Sequence, residues 1–217
     1  MCIRDRYKSA YEKIAEMTRY LRSTGHEISH LDLGGGLGIP YSDESLADLN
    51  AYNQIILETV GDLDCKLSIE PGRYLVGEAG ILITRVIYIK QGEQKKFVIV
   101  DGAMNDLIRP TLYDGFHAIV PVTEKNLSSQ KSLCDVVGPI CESGDYFAKD
   151  RMLPEVSQND LLAITCSGAY GAVMASNYNS RPLIPEVLVS NDVFSVIRER
   201  QAFEKIIQDE KLAAWLQ

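Results

Sequence analysis

Residues 28–38 read Ile28-Ser29-His30-Leu31-Asp32-Leu33-Gly34-Gly35-Gly36-Leu37-Gly38, a β-prone run passing directly into a glycine-rich turn. Upstream, Tyr7, Tyr11, Ile14 and Leu21 recur at helical spacing with charges between them, and Gly25 supplies a stop. Downstream, Pro40, Ser42 and Asp43 open a predicted second amphipathic helix carrying Leu46, Leu49, Ile56 and Val60. A further short strand, Cys65–Glu70, ends at Pro71-Gly72-Arg73. Helix–strand–helix–strand is the signature of parallel β/α architecture. Two parallel strands leave unpaired edges, and a closed (β/α)8 barrel takes about 250 residues. The segment is therefore either a small layered unit or the back end of a larger barrel. In both cases Leu31, Leu33, Leu67 and Ile69 are expected to expose apolar surface where further strands would pair.

From about Gly77 the pattern changes. Ile81–Ile89 and Lys96–Asp101 are β-branched runs joined by Gln91-Gly92-Glu93-Gln94, a hairpin signal. Strands are predicted again at His117–Val122, Ser132–Val137, Leu161–Thr165, Glu186–Val189 and Val193–Arg198, with a short helix after Ala169 and another around Gln201–Asp209. The expected division is an α/β part, residues 1–78, followed by an antiparallel β-barrel or sandwich domain, residues 79–217.

Composition narrows the function classes. The chain has 217 residues, 22 basic and 30 acidic, for a formal charge of −8. That sign disfavours nucleic acid or an anionic membrane as the main partner. No apolar run approaches the roughly 20 residues of a membrane span. Five cysteines, Cys2, Cys65, Cys134, Cys141 and Cys166, are odd in number and contain no CxxC pair. They argue against a disulfide framework and against a metal site, and they fit a reducing cytoplasm.

Several motifs have chemical potential. Gly34-Gly35-Gly36-Leu37-Gly38 can present consecutive backbone N–H groups to a phosphate at the start of the following helix, or simply turn the chain. It matches neither a dinucleotide fingerprint nor a P-loop. Glu70 and Arg73 end the next strand, so in a parallel sheet they converge on the same face as the glycines. They can hold a cationic ring nitrogen and an anionic group, or form a solvated charge pair. Arg109 and Tyr113 are four apart and share a face on a helical turn, which suits a carboxylate ligand or a surface Arg–Tyr contact. Cys141 lies in the polar loop Gly138–Asp145, as a proton donor or nucleophile or as an incidental thiol. Tyr170 sits among small residues that permit close approach to a ligand, or tight helix packing.

Taken in order, Gly-Gly-Gly-Leu-Gly, Glu-Pro-Gly-Arg, Leu-Ile-Arg-Pro-Thr-Leu-Tyr, Cys-Glu-Ser-Gly-Asp and Ala-Tyr-Gly resemble the diaminopimelate decarboxylase family of alanine-racemase-like (fold type III) pyridoxal-phosphate enzymes. The resemblance runs from about Tyr7 to Gln217. It implies the last two βα units of a pyridoxal 5'-phosphate (PLP)-binding (β/α)8 barrel, then a β domain that completes an active site shared across a homodimer. It implies that Gly34, Gly35 and Gly36 hold the cofactor phosphate, with Pro71 and Gly72 beside it and Arg73 supporting it and reaching the substrate. Glu70 would pair with the pyridine nitrogen, and Tyr170 would touch cofactor and substrate. Arg109, Tyr113 and Glu142 would bind the distal amino-acid end of the substrate, and Cys141 would donate the proton that replaces carbon dioxide. The implied reaction converts meso-2,6-diaminopimelate to L-lysine, the last step of lysine biosynthesis. The Schiff-base lysine of such enzymes has no counterpart here, and Met1–Arg6 reads as a truncation or assembly scar. A fragment that is inactive alone is therefore expected. The alternatives are a related ornithine, arginine or carboxynorspermidine decarboxylase, or a non-catalytic dimerising homologue.

Overall fold

A computed structural model describes residues 3–127 and 129–216. The chain divides into two compact units, Met1–Gly77 and Glu78–Gln217. The first contains α1 (Ile3–Ser23), β1 (His30–Asp32), α2 (Leu49–Val60), β2 (Lys66–Ser68) and α3 (Gly72–Val76). β1 and β2 pair in parallel, with Leu31 opposite Leu67. α1 turns Tyr11, Ala15 and Thr18 inward, a spacing that keeps them on one face. They meet Tyr52, Ile55 and Val60 of α2. The Tyr11 and Tyr52 hydroxyls bond each other at 2.9 Å, so neither is stranded by burial. α1 stops before Gly25, whose φ of +93° belongs to the left-handed region that glycine adopts cheaply. Arg22, in the last turn, donates to the carbonyls of Ile28 and Leu63, tying the helix end to both strand approaches.

Two expectations for this unit are corrected. The second helix begins at Leu49 rather than at Pro40–Asp43. The Glu44 carboxylate accepts the N–H groups of Tyr41 and Ser42, which holds that stretch as a loop. Asp48 is the true cap, its carboxylate accepting from Asn50 and Ala51 at 3.0 Å. Leu46 is consequently exposed. Leu31 and Leu33 are buried, not exposed, because they belong to the cluster formed by α1 and α2. Leu67 and Ile69 are exposed.

The second unit holds β3 (Leu82–Gln91), β4 (Lys96–Val100), α4 (Arg109–Tyr113), β5 (Ile119–Pro121), α5 (Glu124–Leu127), β6 (Lys131–Val137), β7 (Tyr146–Pro154) and β8 (Leu161–Ile164). After these come β9 (Glu186–Ser190), β10 (Val193–Arg198) and the short α6 (Glu204–Ile207). Six strands form one sheet in the order β5-β8-β3-β4-β6-β7. Its core is Val86, Val98, Val100, Val136, Phe147, Leu153, Leu162 and Ile164. Along β3, Leu82, Thr84 and Val86 point inward and alternate with exposed residues. The sheet nearly closes on itself. From the β7 edge, Arg151 donates to the carbonyl of His117 just ahead of β5 at 2.8 Å and stacks on Phe116.

The expected antiparallel domain is thus a mixed sheet, since β4 and β6 run parallel with Val98 opposite Val136. β4 reaches β6 by a long crossover through α4 and β5 rather than by a hairpin. β7, at Tyr146–Pro154, has no counterpart in the sequence prediction. Its alternation is broken by Lys149-Asp150-Arg151, where Asp150 takes φ +47° and donates its N–H to Asp135. β9 and β10 form their own two-stranded sheet, with Asn191 at φ +51° in the connecting turn. After Ala169 there is only a 3₁₀ turn at Ala172–Met174.

His117 is fully buried, and its Nδ1–H donates to the Thr165 carbonyl at 2.8 Å. Burial holds its pKa below the ordinary 6.5. The unfolded chain therefore binds this proton first, so the group's stabilisation is full above about pH 6.5 and is lost as pH falls through that value towards the folded pKa. Urea unfolding at stepped pH should show wild type losing stability over this window faster than His117→Gln. Leu162→Ala should cost roughly 2–5 kcal/mol in the same assay without changing the denaturant slope, because Leu162 is fully enclosed.

Candidate functional site

In the first unit, the strand pairing of β1 and β2 continues into their C-terminal loops. Leu33 donates to Ser68 at 2.9 Å, and Glu70 donates to Gly34 at 2.8 Å. Gly35 packs so closely on Glu70 that an added Cβ would collide with the Glu70 carbonyl oxygen. The glycine turn and Glu70-Pro71-Gly72-Arg73 therefore lie side by side. Gly34 and Gly36 have φ of +71° and +91°, which L side chains rarely adopt. The Gly34 N–H donates to the Asp32 carboxylate at 2.8 Å. Among the described residues no acceptor takes the N–H groups of Gly35 and Gly36. A glycine turn with two such N–H groups is a cradle that suits an anion. It stands without a helix behind it, because α2 starts only at Leu49. Arg73 lies in α3 and is half-buried, while Glu70 is exposed.

Tyr7, marked in the sequence only by its helical spacing, brings its hydroxyl to within 3.3 Å of where a Cβ on Gly36 would stand. Burial and the neighbouring Tyr52 raise its pKa, with Arg73 opposing, so the phenol stays protonated as a donor beside the turn.

In the second unit, the segment after β4 is anchored before it reaches α4. Asn105 and Asp106 are buried. Arg181 donates to the Asn105 side chain at 2.9 Å and lies 3.6 Å from the Asp106 carboxylate. Burial nevertheless raises the Asp106 pKa. Arg109 opens α4 and exposed Tyr113 closes it, four residues on. Arg109 Nη1 lies 2.9 Å from His117 Nε2. A guanidinium only donates and a carbonyl only accepts, so His117 carries its proton on Nδ1, towards Thr165, and accepts at Nε2.

The loop bearing Cys141 and Glu142 is wrapped around Asp145, whose buried carboxylate accepts from Met104 at 2.7 Å and Ile140 at 2.6 Å. Burial raises its pKa against those two donors. Thr111 of α4 donates to the Gly144 carbonyl, and Tyr146 donates to the Pro110 carbonyl at 3.3 Å. These bonds clamp the loop to the turn that carries Arg109 and Tyr113. Glu142 accepts from Gly144 at 3.2 Å and from the Tyr178 hydroxyl at 3.4 Å. Cys141 is exposed and free. Tyr170 sits at φ +60°, a strained backbone for a tyrosine, and is half-exposed. An added Cβ on its neighbour Gly171 would stand 3.7 Å from Leu107, two residues ahead of Arg109.

This unit therefore assembles a cation, an anion, phenols and a thiol on adjoining segments. Such a set suits an amino-acid zwitterion and a proton delivered beside it. His117, Thr111, Asp145 and Tyr178 escaped the sequence reading as site residues, although Asp145 lies within the quoted loop motif. Among the described residues no group of three His, Cys, Asp or Glu side chains is arranged to hold a metal ion.

Comparison with known proteins identifies the family. Residues 11–168 match the family model described as pyridoxal-dependent decarboxylase, C-terminal sheet domain. The chain is 46% identical over 212 residues to the diaminopimelate decarboxylase of Zymomonas mobilis, covering 97% of this chain and 50% of that protein. It is 48% identical over 201 residues to the enzyme of the same name from Neisseria meningitidis serogroup A, with coverages of 93% and 49%. The structure of Helicobacter pylori diaminopimelate decarboxylase complexed with L-lysine superposes with a TM-score of 0.88 at 43% identity, covering 96% of this chain and 51% of that one. The chain spans about half the length of the curated relatives it matches. With its glycine cradle, its α4 clamp and these likenesses, the chain belongs to the pyridoxal-dependent decarboxylase family.

Proposed function

We propose that this chain carries the cofactor-phosphate and substrate-recognition parts of a PLP-dependent diaminopimelate decarboxylase, which forms L-lysine and carbon dioxide. The observation that carries the reading is the Thr111–Gly144 clamp, which sets Arg109 and Tyr113 beside Cys141 and Glu142 on one unit. The relatives that share 43–48% identity all bear the diaminopimelate name, which favours that substrate over ornithine, arginine or carboxynorspermidine. The first unit corresponds to two βα units of a PLP-binding barrel, supported by the parallel pairing of β1 with β2 through α2. The second unit is the β domain that completes the active site, within a homodimer. Exposure of Cys141 supports a role across that interface. Cys65, Cys134 and Cys141 form no disulfide, in keeping with a cytoplasmic setting, and no described helix is long and apolar enough to cross a membrane.

When bound, PLP supplies the electron sink that lets a carbon–carbon bond beside an amine break. Gly35 and Gly36 would hold its phosphate through backbone N–H groups, in a turn shaped by Gly34, Pro71 and Gly72, with Arg73 supporting it. Glu70 would pair with its ring nitrogen and keep it protonated. Arg109 and Tyr113 grip the distal carboxylate of the substrate, and Glu142 its ammonium group. A zwitterionic end needs one partner of each sign, and its discrimination comes from leaving neither buried charge unmatched. Tyr170 would contact both cofactor and substrate. Cys141 would donate the proton that takes the place of the departing carbon dioxide.

The test replaces the matching half of the Zymomonas mobilis enzyme with this chain and assays PLP-supplemented chimera. It should release carbon dioxide from meso-diaminopimelate and not from ornithine, arginine or carboxynorspermidine. A soluble, PLP-bound chimera that prefers one of the other substrates, or turns over none, overturns the reading. Cys141→Ala in the chimera should lower kcat by about 10² or more while KM stays within about twofold. Gly35→Ala should weaken PLP binding by about 1–3 kcal/mol, read from cofactor titration, because its Cβ meets the Glu70 carbonyl.

A further inference from the structure

We propose that His117 is a positioning residue, which fixes the Arg109 guanidinium for the distal carboxylate by accepting an Nη1–H at Nε2. The proposal rests on the assignment of Arg109 to that carboxylate. An arginine side chain has much rotamer entropy to lose, so a guanidinium already held in place binds its ligand more tightly. His117 can do the holding because it cannot move. Its side chain is fully buried at 0% exposure, and its Nδ1–H is fixed to Thr165 at the end of β8. The far nitrogen then faces Arg109 at 2.9 Å with a lone pair rather than a proton. Burial keeps the ring neutral, which preserves that lone pair beside a permanent cation. A histidine serving only to fill the core has no need of this tautomer or of this partner. The contact takes one corner of a planar fork, so the plane in which a carboxylate can be met edge-on is set by a buried residue eight positions away, just ahead of β5.

The experiment uses the 217-residue chain with L-lysine, which retains an amino-acid carboxylate, and cadaverine, which lacks it. Calorimetry on wild type should show preference for L-lysine, and Arg109→Gln should abolish it. His117→Phe should weaken L-lysine about ten- to a hundredfold and leave cadaverine unchanged. His117→Gln, whose amide oxygen can accept in place of Nε2, should restore most of the preference. Nitrogen-15 spectra of wild type should show a protonated Nδ1, an accepting Nε2 and an Arg109 guanidinium in slow rotation, which becomes fast in His117→Phe. Loss of preference in Arg109→Gln with none in His117→Phe overturns the positioning role alone. No change in Arg109→Gln overturns the carboxylate assignment, and the positioning role with it. A protonated Nε2, or guanidinium rotation unaffected by His117→Phe, overturns the proposal whatever the affinities are.

Discussion

The buried Asp145 carboxylate is the constraint on which the loop 138–145 and its attachment to α4 depend. Two backbone donors from segments far apart in sequence, Met104 and Ile140, converge on its two oxygens. Gly138 lies so close to the carboxylate that no side chain fits there. Burial away from water disfavours the charge and raises its pKa, and the two donors, one to each oxygen, oppose that shift. The arrangement pins the start of the 102–109 segment to the loop 138–145, and the Thr111 and Tyr146 bonds extend that pin to α4. Arg109, Tyr113, Cys141 and Glu142 hold their relative places because of it.

The first unit relies on a different constraint, backbone against backbone. Gly35 is tolerable only as glycine because the Glu70 carbonyl occupies the space of a Cβ. That approach is a continuation of strand pairing, so the glycine turn and the Glu70–Arg73 loop are one piece of geometry. The Asp32 carboxylate closes the first glycine's amide and leaves the next two outward. Asp32 thereby selects which N–H groups are presented, a role that no motif assigns to it.

Much of this was legible in the sequence. Helical spacing found α1, because it reports a single buried face, and β-branched runs found β3 and β4. Arg109 and Tyr113 were paired by the i, i+4 rule, and α4 does present both. The failures have physical causes. α2 was started too early because Ser42 and Asp43 are good caps in isolation, whereas Glu44 competes for the same N–H groups. β7 was invisible because a bulge at Asp150 breaks its alternation. The parallel β4–β6 pairing is a long-range fact that no local pattern encodes. His117 looked like the first residue of a strand, and its meaning lies in two partners, eight and forty-eight residues away.

That parallel pairing ties the order of folding to the site. Val98 meets Val136 only after the chain between them has looped back, so the closure entropy falls due before the contact repays it. Arg109 and Tyr113 lie inside that loop, and Cys141 and Glu142 lie just beyond its far end. The pairing of β6 with β4 is thus what brings Arg109 and Tyr113 into register with Cys141 and Glu142. The long loop that carries the first pair is closed by the same contact that completes the sheet, so the two cannot be separated.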